Sequence, residues 1–404
     1  MIETIVIAGA GHAAGQAVAT LKQRKFAGRI VVVGDEPYLP YQRPPLSKKF
    51  LAGKLDAERL LVKPAAFYAG DQIDMRLSTR IVGIDPDAHQ IETADDESIS
   101  YDKLILALGS RVRRLPVPGS DLSGIHYLRS IADVEAIRAD IARSKHLTIV
   151  GAGYIGLEVA AVCRQLGLDV TVIEMADRVM SRVVSPNVSD FYQLEHTSQG
   201  VRLLLSTCVL AFNGKKRVTS VATDSEQAIA ADTVVIGIGI QANVGLAEAA
   251  GLDVNDGIVV NDQCQTADPD IFAIGDCTSH PNDIYCRRLR LESVHNAVEQ
   301  AKTAASNICG VETHYSQVPW FWSDQYDLKL QIAGLSQGYD DVILRGDPAS
   351  RSFACLYLQN GSLIAVDAVN APKDFVQSKA LIANHTVCEP RQIADSALAL
   401  RDLG

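Results

Sequence analysis

The stretch LTIVGAGYIGLEVAAVCRQLGLDVTVIE, Leu147 to Glu174, constrains the fold more than any other part of the chain. Four apolar residues of β type (Leu147 to Val150) run into Gly151, Gly153 and Gly156, a G-x-G-x-x-G. A helix-compatible segment follows to about Gly167, then a second apolar run, Val170 to Ile173, that stops on Glu174. Strand, turn, helix and strand in this order make a dinucleotide-binding unit. Each glycine has a task that a side chain would obstruct: a tight turn, close approach of backbone N–H groups to a pyrophosphate, and close packing of helix on strand. The partial positive charge at the helix N-terminus faces the phosphates. Glu174, 23 residues after Gly151, is placed to accept hydrogen bonds from both hydroxyls of an adenosine ribose, which predicts NAD over NADP.

A site beginning near residue 147 leaves a full domain of sequence ahead of it. There, TIVIAGAGHAAGQAVATLKQRKFAGRIVVVGDE repeats the pattern, with Gly9, Gly11 and Ala14 at the three glycine positions. A helix runs to about Lys25 and a strand covers Arg29 to Val33, with Asp35 just beyond. His12, inside the turn, reads as a solvent-facing residue, contact with phosphate being the alternative. The next segment, PYLPYQRPPLSKKFLAGK, is proline-rich and then basic. Pro44 and Pro45 fix the backbone and Leu46 to Leu51 can begin a helix. Such a segment presents Arg43 and Lys48 as a cofactor clamp, unless it is a solvated basic loop.

Further strands are expected at Thr79 to Ile84, Gln90 to Glu92 and Leu104 to Leu108, the last breaking at Gly109. Pro116, Pro118 and Gly119 read as a crossover linker, which makes the central dinucleotide unit an insertion into the first domain. That unit closes on a buried strand, Thr233 to Gly237, and a glycine-rich exit containing Gly239. TADPDIFAIGDC then puts Asp276 directly after a strand and a glycine. From about His314 there is no glycine turn. Short β-type runs (Lys329 to Ala333, Asp341 to Leu344, Phe353 to Leu358, Leu363 to Val369) precede a helical stretch, Lys373 to Asn384, which together read as an α+β module. The expected fold is therefore α/β, with two Rossmann-like dinucleotide-binding domains (1–112 with 242–313, and 113–241) and an α+β C-terminal domain (314–404).

Composition removes several classes of function. A net charge of −10 argues against nucleic acid or an anionic membrane as partner. No apolar run reaches the ~18 residues of a membrane span, and the strand that follows Met1 leaves no room for a signal peptide, so a cytoplasmic location is expected. The eight cysteines show no metal-ligand spacing, and none precedes Cys163. A disulfide reductase needs its redox cysteines just after the first glycine helix, where RPPLSK stands instead.

The ordered set GAGHAA, RPPLSK, ALGSR, GAGYIGLE, GIGIQAN and FAIGDC resembles the pyridine-nucleotide-dependent flavoprotein reductases of glutathione-reductase-like architecture. YLRS at Tyr127 to Ser130, ESVHNAVEQA at Glu292 to Ala301 and PWFWSDQY at Pro319 to Tyr326 narrow the likeness. They resemble the NADH-dependent reductases that serve small [2Fe-2S] ferredoxins of cytochrome P450 and aromatic-ring dioxygenase systems. The resemblance implies FAD and NAD as cofactors and a ferredoxin as partner. It puts Gly9, Gly11, Ala13 and Asp35 on the adenosine and pyrophosphate of FAD, and Lys48 and Arg129 near the flavin and its phosphates. Ile81 and Val82 fall at the adenine, Asp276 at the ribityl chain and Val294 by the isoalloxazine. NADH falls to the central unit, with Glu158 beside the nicotinamide and able to pair with Lys48. Two departures stand out: Leu108 and Ala242 replace the usual threonine and proline of their loops. Rubredoxin and monodehydroascorbate-type reductases share this pattern and differ in acceptor, and a non-catalytic flavoprotein would keep the glycines.

Acidic ferredoxins of this kind and an acidic reductase repel unless a local patch reverses the sign. The densest candidate is Arg287, Arg288 and Arg290, widened by Lys302, Lys373 and Lys379, with the neighbourhood of Trp322 as the second choice. The alternative is a solvated surface run.

Overall fold

The computed structural model describes residues 2–225 and 228–403. By its contacts the chain divides into two units: Met1–Arg43, Ala57–Arg111 and Gln241–Pro319 form one, and Pro44–Asp56, Val112–Ile240 and Trp320–Gly404 the other. The segment Pro44–Asp56, which the sequence reading puts in the first domain, is thus grouped with the second unit. The sequence boundary near 314 shifts to Pro319.

The first unit is built on a parallel sheet in the order Ile271–Ala273, Lys103–Leu106, Thr4–Ala8, Arg29–Val33, Ile73–Arg76. Its inner strands are apolar almost without interruption, because a parallel strand with both faces covered has no wet side on which to alternate. On one face Ala14, Ala17, Val18 and Leu21 of helix His12–Gln23 meet Ala297, Ala301, Ala304 and Ala305 of helix Val294–Ile308. Alanine on both helices allows a close approach. The other face is covered by Ile91, Ile99 and Tyr101, with Ile81 and Ile84 packed against them. The strand expected at Thr79 to Ile84 is observed as Ile81–Asp85.

The second unit repeats the plan, with a sheet in the order Arg202–Leu204, Asp169–Ile173, His146–Val150, Thr233–Ile236, Ile125–Tyr127, all parallel. It also holds an antiparallel five-stranded sheet in the order Trp320–Gln325, Leu328–Gly334, Ser362–Val369, Ser352–Gln359, Asp341–Asp347, with helix Pro372–Ala383 beside it. Four of these strands lie where the sequence shows short β-type runs between polar turns. The first, Trp320–Gln325, is a strand that the sequence reading does not mark. The helix expected from Leu46 is instead a single 3₁₀ turn, Pro44–Ser47, followed by further turns. Among the described residues no helix is long and apolar enough to cross a membrane.

Within the antiparallel sheet Asp367 is 1% exposed, and its carboxylate accepts from the hydroxyl of Tyr357. Tyr357 in turn accepts from the backbone N–H of Ser185 at 2.9 Å, the residue that precedes helix Pro186–Ser198. Burial raises the Asp367 carboxyl from 3.8 to about 7, the bond from Tyr357 opposing the rise. The folded value lies above the unfolded one, so this group's contribution to stability is fully present below about pH 4 and is lost as pH rises through about 7. Asp367→Asn keeps an acceptor for Tyr357 and removes the buried charge. Thermal unfolding should show Tm at pH 8 raised by at least about 2 °C, with the gain fading towards pH 4. An unchanged Tm at pH 8 would mean that Asp367 carries no such cost.

Candidate dinucleotide and nicotinamide sites

In the second unit, strand His146–Val150 delivers the chain into Gly151, whose φ of +102° is in the left-handed region. A Cβ there would lie 2.5 Å from the carbonyl oxygen of Gly237, and a Cβ on Gly156 would lie 2.0 Å from that of Gly151. Both positions therefore require glycine, one for the turn and one for helix-on-strand packing. Gly153 differs: its φ is −77° and its missing Cβ faces open space. Conformation does not demand glycine there; the close passage of a pyrophosphate would.

Glu174 follows strand Asp169–Ile173. Its Oε2 accepts from the N–H of Ala152 at 2.6 Å, inside the glycine turn, and its Oε1 from the N–H of Ala176 at 2.9 Å. These bonds pin the carboxylate over the turn, and each oxygen retains a lone pair for a ribose hydroxyl. Arg178, close enough in sequence to offset that charge, is committed elsewhere: it donates to Val184 O, Ser181 O and Ser189 Oγ. Gly239 has φ +108°, and the Arg182 guanidinium lies 3.8 Å from where its Cβ would be. Arg129 precedes a capping box in which Ser130 and Asp133 start helix Ile131–Ile141, and its N–H donates to Asp133.

Glu158 lies in helix Tyr154–Gln165, one turn beyond the glycine turn, and is 1% exposed. Its Oε2 accepts from Ser47 Oγ at 2.5 Å and from Lys48 Nζ at 2.8 Å, and its Oε1 from Ser323 Oγ at 2.6 Å. Lys48 also donates to Pro44 O at 3.2 Å. A buried carboxylate without partners would cost several kcal/mol, so three donors are what make its charge tolerable. Sequence reasoning finds Lys48 and Glu158 and misses Ser47 and Ser323. The signal was present, since both serines stand inside the RPPLSK and PWFWSDQY motifs.

In the first unit Gly9 has φ +111°, and a Cβ there would lie 2.3 Å from the carbonyl oxygen of Ala107, while Gly11 faces open space. The methyl of Ala13 packs 3.4 Å from the position a Gly275 Cβ would take, which brings the first glycine turn next to Asp276. Ala297, on helix Val294–Ile308, lies 3.9 Å from the same point, so the helix that Val294 begins converges there too. Asp276 accepts from Ser110 Oγ at 2.7 Å. Asp35 is exposed and has no side-chain partner among the described residues, whereas Glu36 is held by Tyr41 and Arg43, both at 2.6 Å. Val82 is 52% exposed, with Ile81 packed against the core beside it.

Two expectations are corrected. His12 does not face solvent: burial and the nearby Arg43 charge lower its pKa while Asp276 raises it, and its Nδ1 is buried with no partner among the described residues. An orphaned ring nitrogen at the mouth of a glycine turn fits a bound group carrying polar atoms, which is what a dinucleotide would bring. The arginine patch does not form as a free cationic surface either. Arg288 donates to the carbonyls of Val260, at 2.6 Å, and Ser279. Arg290 pairs with Asp256 at 3.0 Å and Glu292 at 2.5 Å, and Lys302 with Glu299 at 2.7 Å. Lys379 lies over the Trp320 ring at 4.7 Å. Arg287 and Arg288 are both exposed; Arg288 spends its donors on backbone carbonyls, and Arg287 too has a partner. Trp322, the second candidate, stacks at 5.5 Å from Trp320 and is half-buried.

No thiol takes part. Cys277, adjacent to Asp276, is fully buried, which pushes its pKa up to about 11 and keeps it protonated.

Comparison with known proteins agrees with this geometry. Residues 3–301 match the family described as pyridine nucleotide-disulphide oxidoreductase, and residues 320–404 match the reductase C-terminal domain. Rhodocoxin reductase of Rhodococcus erythropolis is 44% identical, over 98% of this chain and 93% of its own. The ferredoxin–NAD(+) reductase component of the anthranilate 1,2-dioxygenase system of Burkholderia cepacia is 39% identical over 99% of this chain and 98% of its own. The reductase in the crystal structure of a covalent putidaredoxin reductase–putidaredoxin complex superposes with a TM-score of 0.96 at 40% identity, covering 99% of this chain and 97% of that one.

Gly153→Val separates the structural and the binding roles of the turn. With open space around it and an ordinary φ, it should cost only about 1 kcal/mol as a weakened helix cap. Titration with NADH should nevertheless show affinity reduced more than tenfold, since the branched side chain fills the path of the pyrophosphate. Normal NADH affinity in a folded Gly153→Val protein would contradict that assignment.

Proposed function

Because the chain belongs to the pyridine nucleotide-disulphide oxidoreductase family, with the reductase C-terminal domain, we propose that it is an FAD-containing NADH:ferredoxin reductase. It passes electrons from NADH to a [2Fe-2S] ferredoxin that serves a cytochrome P450 or a ring-hydroxylating oxygenase. The observation that carries this reading is the presence of two glycine cradles, each with its own acid, and of no reactive thiol beside either. The enzyme works in the cytoplasm, where its eight unbridged cysteines remain reduced.

FAD supplies what side chains cannot, accepting the two electrons of a hydride and releasing them one at a time to an iron-sulfur cluster. Residues 1–112 with 242–313 hold it: Gly9, Gly11 and Ala13 at the pyrophosphate, Asp35 at the adenosine ribose, Ile81 and Val82 at the adenine. Arg43, Asp276 and Val294 complete that set, with Lys48 and Arg129 towards the flavin. Residues 113–241 hold NADH, through Gly151, Gly153, Gly156, Glu174 and Gly239. Glu158 orients the nicotinamide, and Lys48 balances its charge in a site from which water is largely excluded. The protein's contribution is therefore alignment and a fixed electrostatic field, with no nucleophile and no proton transfer required. Residues 314–404 contribute Ser323 to Glu158 and, around Trp322, the docking surface for ferredoxin.

Steady-state assays of purified, FAD-loaded protein test the reading. With a [2Fe-2S] ferredoxin as acceptor, NADH should support turnover, and a rubredoxin offered in its place should be reduced more slowly. Inability to reduce any [2Fe-2S] ferredoxin, with ferricyanide reduction intact, would remove ferredoxin as the acceptor. The kcat/KM for NADH should exceed that for NADPH more than tenfold, because a 2′-phosphate loses charge-assisted bonds to Glu174 worth about 1.5 to 3 kcal/mol. Glu174→Ala should erase most of that preference. A wild type that prefers NADPH would show that Glu174 does not read the ribose.

A further inference from the structure

The oxygen of Glu158 that faces away from Lys48 is the end of a longer chain of hydrogen bonds. Ser323 Oγ donates to Glu158 Oε1 at 2.6 Å, and Gln325 Nε2 donates to Ser323 Oγ at 3.2 Å. His196 Nε2 is 2.8 Å from Gln325 Oε1, and the Tyr326 hydroxyl is 3.2 Å from His196 Nδ1. Ser323, Gln325 and His196 are each 1% exposed or less. All lie in the second unit, on helix Tyr154–Gln165, helix Pro186–Ser198 and strand Trp320–Gln325 with the turn after it.

The chemistry of the groups fixes the direction of every bond. The carboxylate can only accept, so Ser323 donates to it. The Ser323 oxygen then accepts from the Gln325 amide, which leaves the Gln325 carbonyl to accept from His196 Nε2–H. His196 is thereby the Nε2–H tautomer, and its Nδ1 accepts from the Tyr326 hydroxyl. Burial lowers the His196 pKa to about 4, so the ring stays neutral and keeps that acceptor at neutral pH. Four donors in series thus point at one buried carboxylate, an arrangement in which each bond polarises the next. Tyr326, at the far end, has φ +56°, an uncommon conformation for a residue with a side chain. Its ring lies 5.1 Å from that of His196, so the same contact that orients the histidine helps to hold the turn.

We propose that Ser323, Gln325 and His196 are positioning residues for the nicotinamide reaction: a one-way hydrogen-bond relay through which the C-terminal domain fixes the orientation of Glu158, and with it that of Lys48. The C-terminal domain is then part of the NADH half-reaction and not only of partner docking. This proposal rests on the reading of Glu158 and Lys48 as groups that act at the nicotinamide.

The test is anaerobic stopped-flow reduction of the bound FAD by NADH in wild type, Glu158→Ala, His196→Leu, His196→Gln, Ser323→Ala and the double variant Glu158→Ala/His196→Leu. His196→Leu leaves the Gln325 carbonyl unpaired and should slow flavin reduction by up to about tenfold, the upper scale of one lost hydrogen bond between neutral groups. His196→Gln, whose Nε2–H can reach the same carbonyl, should restore most of the rate. Ser323→Ala should be slow as well, and it tests the relay should His196→Leu fold poorly. The double variant should be no slower than Glu158→Ala alone, because a relay acting only through Glu158 has nothing to act on once the carboxylate is gone. Independently of turnover, protein labelled with 15N-histidine should show His196 as the Nε2–H tautomer at pH 6. Wild-type rates in His196→Leu and Ser323→Ala overturn the relay while leaving Glu158 in place. An equal slowing by His196→Leu with and without Glu158 makes the histidine merely structural, and also overturns it. A Glu158→Ala protein that reduces its flavin at the wild-type rate removes the parent reading and the relay's function together. An imidazolium or an Nδ1–H tautomer at His196 contradicts the relay directly.

Discussion

A carboxylate sealed from water is tolerable only where the protein supplies donors for it, and Glu158 draws its donors from segments far apart in sequence. Ser47 and Lys48 come from the proline-fixed turn after residue 43, and Ser323 stands 165 residues after Glu158 in the sequence. Removing one partner of such a buried pair typically costs about 3 to 5 kcal/mol, so the charge holds these segments in place as firmly as a packed core would. A hydrophobic side chain at this position would satisfy packing at lower cost. Retention of the charge is therefore most simply understood through the task proposed for it at the nicotinamide.

The two glycine turns impose a complementary constraint. Gly9 and Gly151 each adopt a left-handed conformation under a neighbouring carbonyl, while Gly11 and Gly153 leave open space in front of a helix N-terminus. The structure thus leaves two glycine turns open, and in the second Glu174 is bonded into the turn itself. Around them the chemistry is deliberately quiet. The thiols nearest the first cradle are buried and protonated, no cluster of metal-ligating residues occurs among the described residues, and neutral histidines line the interior. Such a site suits electron transfer by bound cofactors, since few side chains compete for the electrons.

Much of this was legible in the sequence, and the exceptions have physical causes. Parallel strands such as Thr4–Ala8 and His146–Val150 announce themselves as β-type runs ending in glycine, and the strands from Leu328 to Val369 as short β-type runs separated by polar turns. Strand Trp320–Gln325 escapes because its pattern is inverted. The polar Ser323 and Gln325 are its buried residues, while Trp320 and Trp322 stand on the other face and are half-buried. A reading that puts aromatic residues inside misplaces this strand, and the inversion exists because a buried carboxylate waits for the serine. The arginine run from 287 to 290 misleads in the opposite way. Charge counted along the chain cannot reveal that Arg290 meets Asp256 or that Arg288 spends its donors on backbone carbonyls. His12 looked like a surface residue because its turn is a surface feature in most folds, whereas here its Nδ1 is buried and the ring feels the charges of Arg43 and Asp276.

The proposed function requires the second unit to bind NADH in one orientation, with the adenosine at Glu174 and the nicotinamide at Glu158. A crystal structure of the FAD-loaded protein with NAD bound tests it most directly. Both hydroxyls of the adenosine ribose should lie within hydrogen-bond distance of the Glu174 carboxylate, the pyrophosphate against Gly153, and the nicotinamide beside the Glu158–Lys48 pair. A nucleotide bound in the reverse sense, or one whose nicotinamide lies away from Glu158, would contradict it.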